Sequence, residues 1–167
     1  MKAKEISALY IRNFIFGVED SLVSTVGLLS GIAVAGVPKA TIFLTGVVLV
    51  FVEAFSMGVG SFLSEQSAEE YIDKKTKLIG KSFKGGLIMF FSYFAAGFIP
   101  LFPYIILGTT GAFGLSITLS LISLFVLGII SARLLGTKLV KGAIRMLALG
   151  GIAIIAGVVV GKLVNTL

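Results

Sequence analysis

Residues 41–64 read TIFLTGVVLVFVEAFSMGVGSFLS and carry one charged side chain, Glu53, near the middle. About 20 consecutive apolar residues allow an α-helix to cross the hydrocarbon core of a bilayer, so this stretch predicts a membrane-spanning helix. An ionised carboxylate at the centre of such a helix costs roughly 2.5–3.5 kcal/mol on insertion scales, and acids there commonly serve a function. Glu53 is therefore a candidate functional residue.

The whole chain has the composition of a membrane protein. Apolar residues make up 57% of it and charged residues 13%, with a mean hydropathy of +1.10, whereas soluble domains are about a quarter charged. We predict one all-α integral membrane domain covering residues 1–167. Its spans are predicted at about 14–36, 41–64, 85–107, 113–132 and 142–164, with a short charged cytoplasmic segment at 65–84.

The basic residues predict the orientation. If the N-terminus is cytoplasmic, only Lys39 and Lys162 of the 14 lysines and arginines fall on the outer side. This asymmetry satisfies the positive-inside rule and predicts five spans with the C-terminus outside. Four or six spans would spoil it, and we reject both alternatives.

Several classes of protein are disfavoured by residues that the chain lacks. It contains no cysteine, histidine or tryptophan, which excludes disulfides, Cys/His zinc sites and Ser-His or Cys-His nucleophiles. Without a phosphate-binding loop either, we expect no enzyme and no permanently bound cofactor. The basic residues form no stripe with interleaved aromatics, so nucleic acid is not an expected partner. Arg12 and Asn13 interrupt the first apolar run, which argues against a secretory signal.

Two acids and a methionine align with Glu53 in the first two spans. Asp20 lies about six residues inside the first span and Met57 about seven residues from the cytoplasmic end of the second, roughly 9 and 10 Å deep at 1.5 Å per residue. Glu53 is one turn deeper, on the face of Met57, and Glu19 adjoins Asp20. Carboxylate oxygen beside thioether sulfur suits a borderline divalent metal such as ferrous iron or manganese, whereas calcium and magnesium prefer oxygen alone.

Simpler interpretations of these residues remain open. Methionine in a membrane helix commonly fills gaps in the packing, as Met57 could. Glu19 and Asp20 could lie in an interfacial segment if the first span began near Leu22, although the remaining residues to Val37 would then be short for a crossing. Because all eight acids lie at or before Asp73, the last three spans are predicted to act as scaffold.

The charged segment contains a row of carboxylates. Glu65, Glu69 and Asp73 repeat at i, i+4 and i+8, with Glu70 beside them. One interpretation is that these four acids gather metal ions at the cytoplasmic entrance. The other is a solvated helix balanced by pairs of Glu70 with Lys74 and of Asp73 with Lys77.

Small residues and prolines predict features of packing. Gly27 with Gly31, and Gly157 with Gly161, form GxxxG pairs that allow close helix contacts, although their partners are not predictable. Pro100 and Pro103 are expected to kink the third span or end it early.

The first two spans also resemble a known family. Residues 12–25, RNFIFGVEDSLVST, resemble the opening of the vacuolar iron transporter family, whose first helix begins with FG-x-x-DGLVST. Residues 53–64, EAFSMGVGSFLS, are similar to its second-helix motif, which is built around SMGxGxxLS. Weaker similarity to the third and fifth helices lies at 97–104 and 142–146.

The resemblance implies a five-helix homodimer that moves ferrous iron, and often manganese, out of the cytoplasm in exchange for protons. Its first-helix aspartate and second-helix methionine match Asp20 and Met57, and a second-helix glutamate matches Glu53. Ser21 replaces a usual glycine and Glu19 a common asparagine. Segment 65–84 replaces most of a larger glutamate-rich domain, which implies a short prokaryotic-type member in the plasma membrane.

Two rival functions stay open at this stage. The acids could bind a basic helix of another protein in a non-transporting membrane scaffold or partner subunit. Alternatively, the chain could form a proton or monovalent-cation channel, which would not need Met57.

Overall fold

The computed structural model of the chain describes residues 2–72 and 79–166, with side chains described from residue 6 onward. The helices are α1 (Lys2–Val34), α2 (Lys39–Ile72), α3 (Ile79–Leu101), α4 (Pro103–Ile106), α5 (Thr109–Leu134) and α6 (Leu139–Asn165). With α3 and α4 taken as one span, five helical segments are long and apolar enough to cross a membrane. The prediction of an all-α membrane protein with five spans is confirmed.

The first two helices are longer than the predicted spans. α1 begins at Lys2 rather than near residue 14, and α2 continues past residue 64 to Ile72. A helix satisfies its own backbone hydrogen bonds in lipid and in water alike, so it need not end at the membrane surface. Glu19 and Asp20 consequently lie inside one continuous helix, about midway along α1.

Two of the turns are built around glycine. Gly36 and Gly136 have φ values of +74° and +65°, a left-handed conformation that suits glycine. Each follows a long helix, and the next residue donates back to a carbonyl five positions earlier: Val37 to Ile32 and Thr137 to Ala132, at 3.3 and 2.9 Å. This is the hydrogen-bond pattern of the Schellman motif, which ends the helix and reverses the chain.

The two prolines mark a break in the helix of the third span, between Leu101 and Pro103, at the place where a kink or an early end was predicted. Pro100 is buried in the last turn of α3, and Pro103 occupies the start of α4. Proline lacks an N–H donor and fits best in the first turn of a helix, so a new helix, α4, begins at Pro103. Ser116 of α5 donates to the Pro100 carbonyl oxygen at 2.8 Å, which ties this break to the next span.

α1 is the central helix of the bundle, and it packs against α2, α3, α5 and α6. Its contact with α6 joins the two GxxxG pairs. A Cβ added to Gly31 would lie 2.7 Å from the Gly157 carbonyl oxygen, and one added to Gly161 would collide with the Gly31 carbonyl. The two backbones are thus in direct contact, and the partners that the sequence could not assign are each other.

The candidate acids sit beside the buried core. Leu22, fully buried, packs with Ala96, Leu124 and Met146 from three other helices. A rotation of α1 that moved Asp20 would therefore pull Leu22 out of its contacts. The opposite arrangement holds on α2, where large apolar side chains beside Glu53 are more than half exposed: Phe51, Val52 and Phe55.

Candidate functional site

The four residues predicted in the first two spans lie midway along α1 and α2, and each is half-buried. Glu53 and Met57 are separated by one turn on α2 and so share a face. Glu19 and Asp20 are consecutive on α1 and point in directions about 100° apart, as 3.6 residues per turn requires. The structure therefore divides the set into two neighbouring groups.

The first group is Asp20 with Glu53. Their charges are close enough to interact electrostatically. Both also lie close enough to the hydroxyl of Tyr93, a buried residue of α3, to interact with it electrostatically. That hydroxyl shares a 2.7 Å hydrogen bond with Ser24 of α1, in which either oxygen can be the donor. Two carboxylates and two hydroxyls from three helices thus form a polar cluster in an otherwise apolar layer.

The second group is Glu19 with Met57, which line a cleft of about 1160 Å³. α1, α2, α3, α5 and α6 all contribute to its wall. The lining consists of Ser7, Ala8, Ile11, Arg12, Asn13, Ile15, Phe16, Glu19, Ser56, Met57, Gly60, Ser61, Ser64, Met89, Ser131, Leu134, Leu135, Arg145 and Met146. Asp20 and Glu53 lie outside this lining: Asp20 is the residue next to Glu19 on α1, and Glu53 is one turn from Met57 on α2.

The cleft offers a mixed set of donor atoms. Carboxylate oxygen from Glu19, thioether sulfur from Met57 and several serine hydroxyls face one space. Within residues 2–72 and 79–166, no three Asp, Glu, Cys or His side chains come close enough to hold a metal ion together. One protomer thus supplies pairs of carboxylates and a soft sulfur ligand, but no complete carboxylate cage.

Two arginines share the cleft with the acid. Arg145 of α6 lies near enough to Glu19 for their charges to interact. Arg12 is largely exposed at the same opening, and its guanidinium lies 3.4 Å from Glu65 Oε2. Positive charge therefore accompanies negative charge along the lining.

The carboxylate row on the extension of α2 contacts basic residues. Lys81 Nζ lies 2.9 Å from Glu65 Oε1 and 2.8 Å from Glu69 Oε1. Glu70 is exposed. Asp73, Lys74 and Lys77 lie outside the described residues, as do the predicted pairs of Glu70 with Lys74 and of Asp73 with Lys77.

Sequence reasoning missed several residues of the site. Arg145 was counted as a cytoplasmic charge for topology, yet it lines the cleft with Met146 and Ser131. The last two spans thus contribute side chains to the wall of the cleft. The signal was available for Arg145, because it is a charge inside the fifth apolar stretch, but a buried tyrosine such as Tyr93 gives no such signal.

A comparison of the chain with known protein families matches it to the VIT family model. The matched residues are 11–84 and 73–162, which together cover most of the chain.

The chain belongs to the VIT family.

Two curated relatives align along nearly the whole chain. A vacuolar iron transporter of Plasmodium berghei (strain Anka) is 22% identical over 226 residues, covering 94% of this chain and 83% of the relative. Vacuolar iron transporter 1 of Oryza sativa subsp. japonica is 21% identical over 216 residues, covering 93% and 86%. Vacuolar iron transporter 1 of Tulipa gesneriana is 34% identical over 67 residues, or 40% of this chain and 27% of the relative.

Two of these relatives are longer than this VIT family member within the aligned region. Both long alignments exceed its 167 residues, so the relatives carry additional residues within the aligned region. The two stretches matched by the family model overlap at residues 73–84, which follow the end of α2 and include the start of α3. This is the place at which the sequence predicted a shortened cytoplasmic domain.

Ser21, which stands where the family motif has glycine, is accommodated at a helix contact. It is fully buried and donates to the Tyr93 carbonyl oxygen at 2.6 Å. The facing residue on α3 is Gly97, where an added Cβ would lie 2.9 Å from the Ser21 hydroxyl. The extra atoms of serine on α1 thus fit against a glycine on α3.

Proposed function

We propose that this VIT family member transports divalent transition metal, ferrous iron or manganese, out of the cytoplasm. The observation that supports it most is the set of donors that α1 and α2 present in the middle of membrane helices. Glu19 and Met57 face one cleft, and Asp20 and Glu53 lie beside it. Curated relatives that align with almost the full chain are named for iron transport.

The proposed translocation site centres on Asp20 and Met57, with Glu53 and Glu19 as neighbouring ligands or proton carriers. Carboxylate and thioether ligands together favour a borderline metal over the hard ions calcium and magnesium. The cleft gives a hydrated ion room to approach, and the serine hydroxyls along its wall can replace water ligands during the passage.

We propose a homodimer as the functional form. One protomer gathers too few ligands for a complete site among its described residues, and a two-fold axis would double them. The exposed face of α2 around Glu53, with Phe51, Val52 and Phe55, is an apolar surface that such a contact would cover. Asp20 and Met57 of both subunits would then face a shared pathway.

Proton exchange follows from the same chemistry. A carboxyl group removed from water favours its protonated form, so an arriving metal ion would release a proton on binding. Proton antiport is therefore the proposed mode of coupling. We further propose the plasma membrane of a prokaryote as the location, with Glu65, Glu69, Glu70 and Asp73 at the cytoplasmic entrance.

Uptake of Fe²⁺ and Mn²⁺ into proteoliposomes that contain the purified chain tests this function. Asp20→Asn and Met57→Ala should each reduce the initial rate at least about tenfold, because each removes a ligand whose loss costs more than about 1.4 kcal/mol. Ile152→Ala, which trims an exposed apolar side chain on α6, should transport like the unaltered protein.

Three results would refute the assignment. Normal metal uptake by both Asp20→Asn and Met57→Ala would remove the proposed site. Conduction of protons or monovalent ions without any need for divalent metal or for Met57 would instead indicate a channel, while absence of any metal-dependent stabilisation would favour a scaffold.

A further inference from the structure

The strongest cluster of charges outside the proposed translocation site lies at the C-terminal end of α2, in the segment predicted to be cytoplasmic. Glu65 and Glu69 are one turn apart on α2, and Lys81 approaches from the first turn of α3. One ammonium nitrogen contacts an oxygen of each glutamate, at 2.9 and 2.8 Å. All three side chains are only 15–18% exposed.

This geometry is that of a cation held by two carboxylates. Ser82 adds a hydroxyl 3.4 Å from Glu69 Oε2, and Arg12 adds a second positive group 3.4 Å from Glu65 Oε2. The two glutamates, Lys81 and Arg12 have a formal charge of zero together. The carboxylates therefore do not present an open, negatively charged surface to an approaching ion.

A side chain has an advantage over an ion in solution at such a place. Because Lys81 is attached to the same chain, it acts at an effective concentration on the order of millimolar or more. A free Fe²⁺ or Mn²⁺ ion must displace the ammonium group to reach both carboxylates. Partial burial strengthens the contact further, because charges shielded from water and salt are screened less.

We propose that Lys81 is a tethered competitor of divalent metal at the cytoplasmic entrance. Glu65 and Glu69 accept a metal ion only when its concentration is high enough to displace the ammonium group. The ammonium group thereby raises the metal concentration at which the entrance is half occupied. The inference rests on the proposed function, since it specifies how the entrance named there is regulated.

Titration of the purified chain with Mn²⁺, followed by electron paramagnetic resonance of the free ion, tests this inference directly. Lys81→Gln should create a binding site at least about tenfold tighter than any at the entrance of the unaltered protein, because it leaves two carboxylates without their cation. Lys81→Arg should titrate like the unaltered protein. In the triple variant Lys81→Gln/Glu65→Gln/Glu69→Gln, the new site should vanish.

Lys84→Gln is the matched control. It removes the same formal charge from the same end of α3, but Lys84 is exposed, so Mn²⁺ binding should change less than about twofold. If Lys84→Gln tightens binding as much as Lys81→Gln, the effect is general electrostatics and the inference is wrong. It is equally wrong if Lys81→Gln binds like the unaltered protein, or if its new site survives in the triple variant.

A second measurement does not depend on Lys81 variants folding. In the unaltered background, Glu65→Gln/Glu69→Gln should remove the weak Mn²⁺ binding that appears only at high concentration, because that binding requires both carboxylates. Unchanged binding at high Mn²⁺ concentration would overturn the inference. Metal uptake into proteoliposomes separates the two proposals. If the unaltered protein transports neither Fe²⁺ nor Mn²⁺, the proposed function is rejected, and the binding titrations still decide whether Lys81 competes with metal.

Discussion

The contact of α1 with α6 and the predicted cytoplasmic end of α1, α2 and α3 are held together in opposite ways. Between α1 and α6, four glycines bring backbone against backbone. At the predicted cytoplasmic end, long charged side chains join three helices through Glu65 and Lys81. Close packing has no adjustable part, whereas ion pairs on flexible side chains can exchange partners.

This difference suggests where the molecule can change. Lipid offers no hydrophobic drive for helices to associate, so α1 and α6 depend on short-range packing. The other end is predicted to meet water, where charges can be screened or paired with other ions. We expect the glycine contact to stay fixed during function and the ion-pair cluster to rearrange.

The largest expected effect comes from breaking the glycine contact. Gly157→Leu would drive a side chain into the Gly27 carbonyl, and we expect at least about 3 kcal/mol of destabilisation or failure to fold. Gly151→Leu on the same helix is the control, since nothing lies within 4 Å of its added Cβ. Thermal unfolding in detergent measures both, and equal melting temperatures would show that the contact is not decisive.

An intermediate effect is expected for a polar contact inside the membrane layer. Ser24→Ala removes the 2.7 Å partner of the buried Tyr93 hydroxyl, which should cost about 1–3 kcal/mol because water cannot replace the lost bond. Thr118→Ala removes an exposed hydroxyl that bonds Gly114 of its own helix at 2.9 Å. Its unfolding free energy should fall by less than about 0.5 kcal/mol, and a comparable loss in both variants would contradict the role of burial.

The smallest effect is expected at the outer part of the ion-pair cluster. Arg12 is 68% exposed in its side chain and reaches Glu65 at 3.4 Å, so Arg12→Gln should change stability by about 0–1 kcal/mol. The difference should shrink further in high salt, since the pair is screened. Chemical unfolding at two ionic strengths measures it, and a large salt-independent loss would mean that this end is as rigid as the glycine contact.

Much of the candidate site could be anticipated from local patterns. Glu53 and Met57 share a face because they are four residues apart, and their span was evident from an apolar run with one charge. Glu19 and Asp20 were recognisable because acids are costly in such a run. Pro100 and Pro103 also predicted the break in the helix of the third span.

Other features were beyond local patterns. The partner of Glu69 is Lys81, which lies on another helix and 12 residues away in sequence. No i, i+4 spacing points to this pair. Arg145 faces Glu19 across the cleft, and its charge alone suggested only a cytoplasmic position. Each contact depends on how two helices are rotated relative to each other.

The sequence by itself determined that five helices cross the membrane and that acids lie inside the first two. The reason is that bilayer thickness sets the length of apolar runs and makes every charge within them conspicuous. Only the tertiary structure decided which faces meet, because side-chain packing fixes the rotation and partner of each helix. It paired the glycines of α1 with those of α6, opened the cleft beside Glu19 and Met57, and placed Lys81 between two glutamates.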